Sequence, residues 1–238
     1  MKLHLLGVCG PFPPSRGATS GYLLEAGENL FQFDLGSGVL GQLTALAAPE
    51  SLTALFISHW HFDHTADLPV LLYRLESMKK TLPVYGPADP SSPLLPLIAS
   101  SPWFTFTEVL PGQCLEFPGA TVRVTAARHP VPTVGWRVAC GGKDFGYTGD
   151  TNTLPSLVQD FRGCTVLLAD ALFADENWAE NKPHLSARLA AQLAEDAGAG
   201  RLVLTHHNPF LPLAPRLQEA REAHADIVPA EAGMTIDI

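Results

Sequence analysis

Two stretches of the chain repeat one another, and that repeat limits the architectures open to it. GYLLEAGENLFQFDLGSG, starting at Gly21, aligns without a gap on GWRVACGGKDFGYTGDTN, starting at Gly135; glycine, aromatic, apolar and turn positions coincide. The next unit repeats as well, LTALFISH from Leu52 resembling CTVLLAD from Cys164 at a nearly constant offset. Self-similarity of this kind predicts one domain over residues 1–238 built from two like halves, about 1–115 and 116–238.

Periodicity supplies the elements of each half. Strand patterns run over Lys2–Val8, Gly21–Glu25, Leu30–Asp34, Ala54–Ser58, Pro83–Tyr85, Ala120–Ala126, Trp136–Ala139, Asp144–Thr148, Val166–Asp170 and Leu202–Thr205. Helical spacing fits Val39–Ala47, Leu68–Lys79 and Leu154–Gln159, and fits best over Ala187–Ala197, with Ser186 able to cap the start and Gly198 the end. Strands and helices interleave, so the expected class is α/β. Each half then gives a sheet with helices on its outer face, and the two sheets pack into a four-layer αβ/βα sandwich. Loops from both halves meet along one shared edge, where chemistry is expected.

That edge carries a dense motif. SHWHFDH, Ser58 to His64, gathers three of the nine histidines and an aspartate. His59 and His61 leave the end of a buried strand two residues apart and project to the same side, so they can share one cation. Asp63 and His64, on the turn into the next helix, can reach a second ion beside the first. His129, Asp150 and His206 each follow a strand, and the repeat sets Asp150 opposite Gly36.

HWHFDH, the isolated histidine of RHPVPTVGWRV, the aspartate of YTGDT, the histidine of VLTHH and the FDLGSG turn resemble the metallo-β-lactamase superfamily over nearly the whole chain. The resemblance implies two divalent metal ions, zinc foremost with manganese or iron as alternatives. It implies His59, His61 and His129 on the first ion, Asp63, His64 and His206 on the second, Asp150 bridging them, and Asp34 supporting the ligand loop. Hydrolysis by a hydroxide held between the ions follows, with Asp63 helping to orient it. His64 sets the chain apart from true β-lactamases of the superfamily, which lack that histidine. RHPVPTVGWRV lacks the glycine-flanked histidine of the glyoxalase and lactonase branches; with Gly135, Trp136 and Arg137 it is similar to the RNase Z and related phosphodiesterase branch. KPHLSA and LLADALF resemble that branch's HxTA and HEATF segments, which implies His184 as proton donor, oriented by Asp170 in place of the usual glutamate.

Charge and spacing narrow the substrate. Fifteen basic against 24 acidic residues leave a net charge of −9, which disfavours a partner held by a broad phosphate-neutralising surface. The short stretch between His129 and Asp150 leaves no room for a tRNA-gripping arm, as in compact bacterial hydrolases of this length. A small phosphodiester, such as a cyclic nucleotide, or short RNA is the expected substrate. Ester, lactone or thioester hydrolysis on the same site, or a non-catalytic metal-bound sensor or scaffold, are the alternatives. No apolar run nears the roughly 20 residues of a membrane span, so no membrane partner and a cytoplasmic location are expected, with a homodimer implied by the branch. Cys9, Cys114, Cys140 and Cys164 lie apart without a CxxC pair and read as reduced thiols. His4, His207 and His224 read as structural or solvated, PADPSSPLLP and PFLPLAP as rigid loops, and Trp103, Phe104 and Phe106 as core or an oligomer contact.

Overall fold

A computed structural model describes residues 1–238. Strands β1 (Lys2–Gly7), β2 (Gly21–Ala26) and β3 (Asn29–Phe33) run antiparallel, and α1 (Val39–Leu46) then crosses to β4 (Ala54–Phe56), parallel to β3. Helices α2 (Phe62–Thr65) and α3 (Leu68–Met78) lead to β5 (Leu82–Gly86), and α4 (Leu95–Ser100) to β6 (Phe104–Glu108). The chain then lays down β7 (Cys114–Phe117), β8 (Ala120–Ala126), β9 (Val134–Cys140) and β10 (Lys143–Tyr147) as antiparallel neighbours. Helix α5 (Leu157–Asp160) crosses to β11 (Val166–Asp170), α6 (Ala187–Ala197) to β12 (Arg201–Thr205) and α7 (Leu213–Arg221) to β13 (Ile227–Pro229), all three strands parallel to β10. Finally β14 (Thr235–Asp237) returns to pair with β1.

The result is two seven-stranded sheets, ordered β14-β1-β2-β3-β4-β5-β6 and β13-β12-β11-β10-β9-β8-β7. The antiparallel hairpin followed by a parallel crossover occurs at β2-β3-β4 and again at β9-β10-β11. Both hairpins close in two residues, and the second uses Gly141 and Gly142, each at positive φ. Two positive φ values in a row are the type I′ geometry, whose twist matches the strands it joins, and glycine meets it without a Cβ penalty.

Between the sheets lies an aromatic core. Phe33 stacks on Phe56 with ring centres 5.1 Å apart, Trp136 sits 4.9 Å from Phe56, and Phe145 lies 5.6 Å from Phe33, all fully buried. A second apolar cluster seats α1 and α3 on one sheet, and a third seats α5, α6 and α7 on the other. The four-layer order is thus the expected one. In α6, Ser186 Oγ accepts from the amide of Leu189 and Gly198 closes the helix at φ +63°.

The differences from expectation have local causes. Strands β6, β7, β13 and β14 are edge or near-edge pieces with short or polar patterns, and none stands out by periodicity. Helix α4 begins at Leu95, inside the proline-rich stretch read as loop, with Pro96 in its first turn, where the missing amide costs nothing, and α7 begins at Leu213, inside PFLPLAP. Trp103, Phe104 and Phe106 pack on the outer core of the first sheet, with Phe106 5.7 Å from Trp60. His4 is hydrogen-bonded to Thr235 and Glu25, and His224 to Glu195 and the Gly200 carbonyl. The four cysteines are free thiols. No helix is long and apolar enough to cross a membrane.

Because Phe56 touches rings from both sheets, Phe56→Ala is expected to cost about 3–5 kcal/mol, read as a lower urea midpoint at unchanged slope; a loss below about 1 kcal/mol would contradict this packing.

Candidate metal centre

The site begins at Asp34, fully buried just past the end of β3 with φ at +53°. Its carboxylate accepts from the Ser58 amide at 2.7 Å, the Ser58 hydroxyl at 2.8 Å and the Tyr147 hydroxyl at 2.7 Å, and it is hydrogen-bonded to His64 Nδ1 at 2.7 Å. Burial and the Asp34 charge push the Tyr147 hydroxyl well above its ordinary pKa, so it remains a donor. A carboxylate cannot donate, so His64 carries its proton on Nδ1 and turns Nε2 the other way. That Nε2 is buried, has no hydrogen-bond partner, and faces Asp150 at 3.3 Å and Asp63 at 3.7 Å.

Two donor sets meet around Asp150. In one, His61 Nδ1 lies 3.0 Å from His59 Nε2 and 3.2 Å from His129 Nε2. His129 Nδ1 donates to the Pro183 carbonyl, which leaves Nε2 bare. Ligands of a tetrahedral zinc ion, each about 2.05 Å from it, stand about 3.3 Å apart, close to the spacing seen. In the other, ligand atoms of Asp63, His64, Asp150 and His206 all lie within 4.8 Å of one another. Asp150 Oδ2 joins the sets, 3.3 Å from His64 Nε2, 3.3 Å from His206 Nε2 and 3.7 Å from His59 Nε2.

The electrostatics match a site for cations. Burial holds His59 well below the usual imidazole range and lowers His61 and His129, so all three are neutral and able to donate lone pairs. Burial alone would raise Asp150, yet His206 and His64 hold it well below the carboxylate range; Asp63 is lowered against the same burial by His64 and His206. His64 is driven the other way, its burial outweighed by Asp150, Asp63 and Asp34. Buried carboxylates packed this closely require compensating positive charge beside them.

Beside the cluster, His184 Nδ1 meets Asp170 Oδ2 at 2.7 Å and Asp150 Oδ2 at 3.8 Å, and its ring stacks on His206 at 4.9 Å. Burial lowers the His184 pKa, but the Asp170 charge and hydrogen bond outweigh it and lift it to about 9. Asp170 is itself held by the Thr151 and Leu172 amides.

All the residues singled out by sequence, His59, His61, Asp63, His64, His129, Asp150, Asp170, His184 and His206, therefore come together on the shared edge. Sequence reasoning missed two others. Asn152 Nδ2 donates to the carbonyls of Lys182, Glu180 and Ala179, and its Oδ1 accepts from Trp178 Nε1, so it pins the loop that ends at His184. Gly10 lies against the His206 ring, where a methyl group would overlap the ring atoms. The Asn that follows GDT and the Gly-Pro step were the only signals, and neither points to a site by itself.

Residues 14–207 match the beta-lactamase superfamily domain. The chain belongs to that superfamily. It is 31% identical over 216 residues to the probable metallo-hydrolase YhfI of Bacillus subtilis, covering 87% of this chain and 86% of the relative. Against ribonuclease Z of Methanosarcina acetivorans the identity is 26%, covering 100% of this chain and 98% of the relative. The crystal structure of YhfI superposes with a TM-score of 0.93 at 28% identity, covering 99% of this chain and 98% of YhfI. Human short-form tRNase Z superposes at 0.81 and 22% identity, covering 100% and 99%, a likeness of fold. The chain thus stands among metallo-hydrolases of this fold, and its His/Asp cluster is suited to divalent metal.

Since Asp34 orients His64 and the strand end at Ser58, Asp34→Ala is expected to weaken divalent-metal binding about 10–100-fold, measured by chelator competition; unchanged affinity would contradict the orienting role.

Proposed function

We propose that the chain is a phosphodiester hydrolase working on two divalent ions. One observation carries the reading: a single oxygen of Asp150 lies within 3.7 Å of ring nitrogens from His59, His64 and His206, with the His184–Asp170 couple at its edge. In this reading His59, His61 and His129 would hold one ion and Asp63, His64 and His206 the other, with Asp150 placed between the two sets. Zinc fits the nitrogen-rich first set, and bound ions of this kind supply Lewis acidity toward phosphoryl oxygens and toward water.

The chain's own residues then have distinct tasks. Asp63, ionised in spite of its burial, accepts a hydrogen bond from the attacking water and aligns it. His184, with Nδ1 engaged by Asp170, keeps Nε2 for the substrate. With Asp170 strengthening its hold on the proton, it can give that proton to the departing alkoxide near neutral pH. A proton donor aimed at a leaving oxygen beside a double cation site is the equipment that cleavage of a phosphodiester asks for.

The relatives named ribonuclease Z support a nucleotide substrate, and the charge of −9 supports a short one. Between His129 and Asp150 the chain runs through a short loop, β9, a two-residue turn and β10, a brief connection that supports a small substrate. We read the substrate as a small phosphodiester or short RNA, and the chain as a cytoplasmic enzyme. Val70 and Tyr73 on α3 and Phe62 on α2, all exposed, offer an apolar face for a homodimer.

The test is turnover of bis-p-nitrophenyl phosphate against a panel of lactones and thioesters, with phosphodiester cleavage expected to dominate. His61→Ala and Asp150→Ala should abolish it and lower metal content, whereas His184→Gln should keep the metal and slow turnover about 10²–10⁴-fold. Full metal and activity in the first two variants, or metal loss in the third, would contradict the assignment.

A further inference from the structure

We infer that Phe12 and Phe210 form an aromatic wall at the mouth of the metal centre that stacks on the nucleobase of the substrate. The inference rests on the phosphodiesterase reading and names the chemistry of the group beyond the phosphate.

Phe210 is 81% exposed and Phe12 37% exposed, yet their rings pair with centres 5.1 Å apart at 49°. Neither ring belongs to any of the apolar clusters that seat the sheets and helices. Their loops are zipped to the site itself. The Gly10 amide donates to the His207 carbonyl at 3.1 Å, the His207 amide donates to the Val8 carbonyl at 2.8 Å, and Gly10 abuts the His206 ring at Nε2, the nitrogen that faces Asp63 and Asp150. Phe12 is two residues beyond that contact, and Phe210 is four beyond His206.

Both loops are stiff. Pro11, Pro13 and Pro14 flank Phe12, and Pro209 and Pro212 flank Phe210. Proline fixes φ and so removes much of the disorder that a bound ligand would otherwise have to suppress. Two large apolar rings, exposed on loops hydrogen-bonded to the ligand segment, contribute nothing to the core and offer an open π-face. The charge balance says why such a face is useful. With 15 basic residues against 24 acidic, the chain has few cationic side chains to hold a substrate outside the metal centre, so the part of the substrate beyond the phosphate gains from contacts that are not electrostatic. Stacking supplies them for any base, without reading its sequence. An aliphatic phosphodiester would gain far less from a flat ring.

Calorimetric binding of adenosine 5′-monophosphate and of ribose 5-phosphate to the metal-loaded protein tests the wall without requiring turnover. The wild type should bind the nucleotide about tenfold more tightly than the sugar phosphate. Phe210→Ala and Phe12→Ala should remove most of that preference and leave ribose 5-phosphate unchanged, while Phe210→Trp keeps it. Equal binding of the two ligands, no binding of either, or an equal loss for both in Phe210→Ala would overturn the inference. So would a variant that alters only the oligomeric state in sedimentation, since the pair would then be a subunit contact. If the nucleotide preference is present and ring-dependent but bis-p-nitrophenyl phosphate and other diesters are not cleaved, the assigned reaction fails and the wall stands.

Discussion

The buried carboxylate of Asp34 is the point on which the centre hangs. It sits past the end of β3 in one sheet, takes a hydrogen bond from Tyr147 at the end of β10 in the other, and holds both Ser58 and His64 of the histidine motif. Sheet packing and site geometry are thereby one problem. If the sheets slid by a residue, the Tyr147 hydroxyl would be lost and a buried charge left short of a donor, which is costly in a dry interior. The aromatic core that sets the distance between the sheets, Phe33, Phe56 and Trp136 above all, therefore also sets the distance between the two donor groups.

The same arrangement explains why the cluster is held in a state that suits cations. Asp34 dictates the tautomer of His64, the Pro183 carbonyl dictates that of His129, and Asp170 engages His184. These rings are locked by their outer nitrogens, which turns the inner ones toward Asp150 and its neighbours. Backbone strain accompanies the arrangement: Asp34 and His206 are both in the left-handed region, which non-glycine residues enter at a cost that surrounding contacts must offset.

Much of this was legible in the sequence because the donors follow strands, and strand ends are marked by where an apolar run stops. His59, His129, Asp150, Asp170 and His206 could all be located that way. The repeat was informative about Asp150 in another sense: it stands opposite Gly36, where a side chain would overlap the Asp63 carbonyl and Thr19, so the two hairpins have the same course but only the second carries a ligand. The exchange of glutamate for aspartate at 170 gave no indication of whether the shorter side chain would reach; the backbone brings it within 2.7 Å of His184. Asn152 and Gly10 could not be read at all, because what each does depends on a loop far along the chain folding back over it. The edge strands were equally silent, since an edge with one exposed face and three or four residues leaves no period to detect.

The central claim is that these scattered imidazoles and carboxylates converge on two neighbouring cations. Anomalous diffraction from crystals grown with zinc, collected on both sides of its absorption edge, tests it most directly. Two peaks are expected, one enclosed by His59, His61 and His129 and one by Asp63, His64 and His206, with Asp150 between them. A map with no peak there, or with zinc bound only at other surface residues, would contradict the account.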